Sequence, residues 1–89
     1  MLVSWQPWQV DWTPRAVRGL RRLTHQERER VMDAVDFYAA TGRGDVARVR
    51  GRDREWRLRV GDVRIIFTLD QDLRKLIVLS VDRRDSVYR

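Results

Sequence analysis

Cysteine is absent from this chain, and histidine occurs once, as His25. Without thiols there is no disulfide framework and no thiolate zinc site, and a single imidazole cannot build a His-rich metal centre. No metal ion and no cofactor are expected. No apolar run approaches the roughly 20 residues that cross a bilayer, and the N-terminus has neither the basic region nor the small-residue cleavage site of a secretion signal. The expectation is a cytoplasmic protein with no membrane partner. Internal repeats, low-complexity segments and linkers are also missing. An 89-residue chain without them is expected to be a single domain over 1–89, with room for one core.

What is present is a globular composition with an unbalanced charge. Hydrophobic residues make up 43% of the chain and include four tryptophans, which argues against disorder. Nineteen Lys and Arg stand against thirteen Asp and Glu, a net charge of +6, so an anionic partner is expected. Lys75 is the only lysine. Arginine offers a planar, permanently charged fork that matches phosphate oxygens, although a compositional bias of the genome also enriches it. Position along the chain has to decide between the two.

The segment "WQVDW" alternates, with Trp8, Val10 and Trp12 on one face, and reads as a strand. Thr13-Pro14 supplies an N-cap and a first-turn proline for a helix over 14–22, with Ala16, Leu20 and Leu23 inward and Arg15, Arg18 and Arg22 outward. Thr24 and Glu27 have capping-box spacing and open a second helix that Gly42 ends. The period then changes to two: "EWRLRV" and "VRIIFTL" flank Gly61-Asp62, a type II′ hairpin turn, and "KLIVLSV" makes the last strand, with an extra short strand near 46–50 also fitting the pattern. The expected architecture is α+β, in the order β-α-α-β-β-β, with a two-helix hairpin packed on an antiparallel sheet.

Pairing the hairpin through its two-residue turn sets Val60 against Val63, Arg59 against Arg64, Leu58 against Ile65, Arg57 against Ile66 and Trp56 against Phe67. One face is apolar, and the other gathers Arg57, Arg59 and Arg64. Like charges directly opposite on neighbouring strands are destabilising, and a bound anion removes the conflict. If Ile77, Leu79 and Val81 face the core, then Ser80, Asp82 and Arg84 point the other way, which brings Arg84, and Arg83 beside it, to the same cluster. The competing explanation is a surface salt-bridge network in which Glu55, Asp82 and Asp85 neutralise these arginines.

Such a face suits RNA scission without a metal. RNA carries its own nucleophile in the 2′-hydroxyl, so a protein need only align the attack and stabilise the charge that builds on phosphorus. Guanidinium cannot act as a base, but Tyr88 can move a proton, and adjacent Arg83 and Arg84 favour its phenolate. Stacking on the sheet edge or on a nucleobase is the alternative role for Tyr88. His25, at a helix start, reads as a solvated terminal residue.

The element order, the segment "WRLRVGDVRIIF" and the ending "VLSVDRRDSVYR" resemble the RelE/ParE superfamily of bacterial type II toxins. The resemblance implies a RelE-like fold and ribosome-dependent cleavage of mRNA in the ribosomal A site. It also implies silencing by a cognate antitoxin protein, held in a hetero-oligomer with the toxin. On this resemblance the catalytic residues are Arg64, Arg83 or Arg84, and Tyr88, with Arg57, Arg59 and Lys75 as RNA or phosphate contacts. Glu55 departs from the pattern, standing where a basic residue occurs in the best-known enzyme. Two other readings share the scaffold: a ParE-like inhibitor of DNA gyrase, and a catalytically silent relative that only binds RNA or its antitoxin.

Overall fold

The computed structural model describes residues 5–83. The chain runs β1 (Gln9–Trp12), α1 (Pro14–Arg21), α2 (His25–Thr41), β2 (Val46–Arg48), β3 (Trp56–Val60), β4 (Val63–Asp70) and β5 (Lys75–Arg83). The five strands form one sheet in the order β1-β5-β4-β3-β2. Strands β2 to β5 are an antiparallel meander, as expected. Strand β1 instead lies parallel to β5, from Gln9 beside Lys75 to Trp12 beside Val78, so the sheet is mixed. Parallel neighbours need a long crossover, and here the helices and the meander together supply it.

Both helices start where their caps dictate. The Thr13 hydroxyl accepts from Ala16 N at 3.1 Å and donates to Leu79 O at 3.0 Å, so the N-cap of α1 also ties the helix to β5. At α2, Thr24 Oγ1 accepts from Glu27 N (3.2 Å) and Glu27 Oε1 accepts from Thr24 N (2.9 Å), completing the capping box. Gly42 ends α2, donating its N–H to Tyr38 O.

Ala16, Leu20, Val31, Val35 and Ala39 from the helices meet Leu58, Val63, Ile65, Phe67, Leu76, Val78 and Val81 from the sheet in one buried cluster. Before β1, Trp5 Nε1 (2.9 Å) and Trp8 N (3.0 Å) both donate to Ala39 O, which fastens the N-terminal segment across α2. Gly19 lies against the backbone of β5, where an added Cβ would stand 2.1 Å from Val81 O. Any larger residue there pushes α1 off the sheet.

Candidate functional site

The β3–β4 hairpin has the register its turn implies. Gly61 takes a positive φ of 57°, and Asp62 does not, which is the type II′ pattern. From there Val60 faces Val63, Arg59 faces Arg64, Leu58 faces Ile65, Arg57 faces Ile66 and Trp56 faces Phe67. Leu58, Val63, Ile65 and Phe67 are buried under the helices. By alternation Arg57, Arg59 and Arg64 share the opposite, helix-free face.

Strand β5 completes that face after an irregularity. Ile66 pairs with Ser80 but Phe67 pairs with Val78, so Leu79 is an extra residue in β5. Before the bulge the core positions are Leu76 and Val78, and after it Val81. The expectation that Ile77 and Leu79 line the core is therefore corrected, while Val81 inward and Ser80 and Asp82 outward stand. A run as apolar as "KLIVLSV" does not reveal its own phase. Two rows cross the open face: Arg59, Arg64 and Asp82, then Arg57, Ile66 and Ser80.

Among the described residues no ion pair neutralises Arg57, Arg59 or Arg64, and Glu55 is engaged by Arg52 at 3.3 Å. Asp82 lies beside Arg64 in register without forming an ion pair with it. The Nε of Arg57 is buried with no hydrogen-bond partner.

Two sequence candidates lie elsewhere. Arg83 follows Val81 by two residues and so turns to the helix side, where Nε donates to Glu27 Oε2 at 3.3 Å and a terminal nitrogen donates to Glu27 Oε1. Its expected place beside Arg57, Arg59 and Arg64 is corrected accordingly. The Arg83 guanidinium, with the Thr24 backbone N–H second, holds the Glu27 carboxyl at about 2, well below the usual carboxylate range. Lys75 stands at the far end of β5 from Asp82 and pairs with Asp11 at 3.1 Å, apart from the arginine rows. Arg84, Asp85 and Tyr88 lie outside the described residues.

The structure also adds neighbours that linear reading did not connect to the site. A groove between α1 and β5 is lined by Arg15, Arg18 and Arg22 together with Ser80 and Asp82. Their outward position on α1 was legible in the sequence, but not the strand they would adjoin. At the other end of the sheet Arg48 stacks over Trp56 at 5.1 Å. On the open face Arg59 is exposed and Arg57 and Arg64 are half-buried, and their guanidinium forks suit phosphate oxygens.

Residues 10–88 match the family described as ParE toxin of type II toxin-antitoxin system, parDE. The chain belongs to this family. The matched span of this ParE-family toxin includes the arginine face, Arg84 and Tyr88. Its fold is that of RelE-type toxins. A RelBE2 toxin-antitoxin complex from Mycobacterium tuberculosis is similar at TM-score 0.76 and 23% identity, over 89% of this chain and 100% of that one. An archaeal RelE-RelB complex from Pyrococcus horikoshii gives TM-score 0.73 and 20% identity, over 89% and 97%. The isolated E. coli RelE toxin gives TM-score 0.74 and 20% identity, over 91% and 90%. No curated protein sequence matches the chain.

Proposed function

We propose that this toxin is a ribosome-dependent endoribonuclease that cuts mRNA in the A site. The observation that carries this reading is the unpaired arginine face: Arg59 directly opposite Arg64, Arg57 in the next row, and no ion pair on any of them among the described residues. Arg57, Arg59 and Arg64 hold the scissile phosphate and stabilise charge on its oxygens. The 2′-oxygen attacks the adjacent phosphorus, its proton leaves, and the 5′-oxygen departs and is protonated. The products are a 2′,3′-cyclic phosphate and a 5′-hydroxyl, and no metal is required. With Arg83 engaged by Glu27, the last-strand arginine of the site is assigned to Arg84, and the proton transfer to Tyr88.

The partner that silences it is a cognate antitoxin, in keeping with the toxin-antitoxin complexes of similar fold. Met32 and Phe37 on α2 are 43% and 54% exposed, and β2 is an edge strand, so an antitoxin helix or strand laid across them buries apolar surface and pairs an open edge. Its acidic groups meet the arginines.

The family match favours a second reading, in which the toxin traps DNA gyrase without RNA chemistry. Primer extension on a translated mRNA, with and without ribosomes, separates them when wild type is compared with Arg64→Ala and Tyr88→Phe. Ribosome-dependent cuts that fade in both variants support the nuclease. Uncut message together with inhibited supercoiling in a gyrase assay overturns it.

A further inference from the structure

The groove beside α1 carries charge for which the scissile-phosphate site has no use. Arg15 and Arg18 on α1 and Arg22 at its C-cap follow i, i+3, i+7 spacing, so they stand on one side of the helix and its cap over about 10 Å. All three are exposed, and among the described residues none forms an ion pair. They line a depression of about 180 Å³ with Ser80 and Asp82. Asp82 is in register with Arg64, and Arg64 with Arg59. The groove therefore adjoins the end of that row at Asp82, beside the edge of β5.

Two features make this groove a built surface. Strand β1 pairs only with Lys75 to Val78, so the edge of β5 beyond Leu79 is left to α1. Gly19 then seats the helix against Val81 O with no room for a side chain, which fixes the distance between the arginines and Ser80 and Asp82. Three like charges along one side of a short helix repel one another, and the helix dipole offsets this only for Arg18 and Arg22 near the C-terminus. They become favourable when an extended anion lies along them.

We infer that α1 forms a second phosphate track, on which Arg15, Arg18 and Arg22 grip the RNA backbone outside the scissile site. This rests on the RNA reading proposed above. Asp82 stands between Arg64 and the groove, but both arginine sets flank the same end of β5, which favours one long polyanion spanning them over a short acidic protein segment. The phosphates come either from the message beyond the cut or from ribosomal RNA around it.

The test is the triple variant Arg15→Gln/Arg18→Gln/Arg22→Gln in the full-length toxin. Glutamine has a helix propensity close to arginine's, so α1 is retained, which circular dichroism checks. Binding is followed by fluorescence anisotropy on a single-stranded RNA oligonucleotide with 2′-deoxy sugars, which cannot be cut, across a salt series. In parallel, cleavage is timed on ribosomes programmed with message. If the track holds the message, the slope of log K against log salt shrinks by about 2 on the oligonucleotide, at roughly 0.7 for each phosphate that is no longer neutralised. If it holds ribosomal RNA, that slope stays and KM for programmed ribosomes rises at least tenfold. In both cases kcat at saturation stays within about twofold, whereas Arg64→Ala lowers kcat.

An unchanged slope together with an unchanged KM overturns the track, as does a variant that keeps RNA affinity and loses only antitoxin binding. If wild type cuts nothing but the oligonucleotide slope still falls in the triple variant, the nuclease reading fails and the track stands. Normal cutting by wild type with no change in the variant has the opposite meaning.

Discussion

Arg59→Gln is expected to make the free toxin more stable while weakening its hold on RNA. In a two-residue hairpin Val60 and Val63 flank the turn as the hydrogen-bonded pair, which leaves Arg59 and Arg64 as a non-hydrogen-bonded pair, the class in which side chains stand closest. Consistent with this, Arg59 N donates away from β4, to Asp45 O at 3.0 Å. Two guanidiniums splayed to about 8 Å repel by roughly 0.5 kcal/mol in water, within the usual range for like charges across a sheet. For a domain of this size that corresponds to a Tm gain of about 2–4 °C. Most of the gain should appear near 10 mM salt, where the screening length is about 30 Å, and little should remain at 1 M, where it is about 3 Å. Thermal unfolding at the two salt concentrations measures it. A Tm that falls, or a gain that ignores salt, refutes the claim that this pair stands in uncompensated repulsion, and the stability argument for a bound anion goes with it.

Two further outcomes follow from the packing and the ion pairs. Gly19→Ala should lose about 2 kcal/mol in chemical denaturation, because an overpacked contact 2.1 Å from Val81 O outweighs the gain of up to about 1 kcal/mol from helix propensity; a stabilised variant would show that α1 is free to shift. Glu27 has its carboxyl held at about 2 in the folded protein against an ordinary value of 4.5, so the stability it contributes is present above about pH 4.5 and lost as pH falls through about 2. Glu27→Gln should flatten the stability profile across that window, and Arg83→Met should bring the Glu27 carboxyl back toward 4.5 in an NMR titration. An unmoved titration would mean that Arg83 is not what holds it.

How much of this was legible beforehand depends on the range of the signal. Both helix starts could be read because Thr13-Pro14 and Thr24 to Glu27 act within one turn of chain. The hairpin register was equally local, since Gly61-Asp62 sets the pairing of every residue out to Trp56 and Phe67. The phase of β5 was not legible. Its residues are apolar on both faces, and the bulge at Leu79 exists only in relation to β4. That single extra residue moved Leu76 and Val78 inward in place of Ile77 and Leu79. Arg83, two residues past Val81, lies on the helix side, where it finds Glu27, 56 positions earlier.

The elements, the hairpin and the gathering of Arg57, Arg59 and Arg64 could be read along the chain, because strand alternation and turn chemistry are short-range effects that neighbouring residues specify. Long-range packing was needed to bring β1 beside β5 in parallel, Lys75 to Asp11, Arg83 to Glu27, and Arg15, Arg18 and Arg22 to a groove with Asp82. Each of those depends on which distant backbone lies alongside, and that is settled by burying one shared core, not by any local pattern.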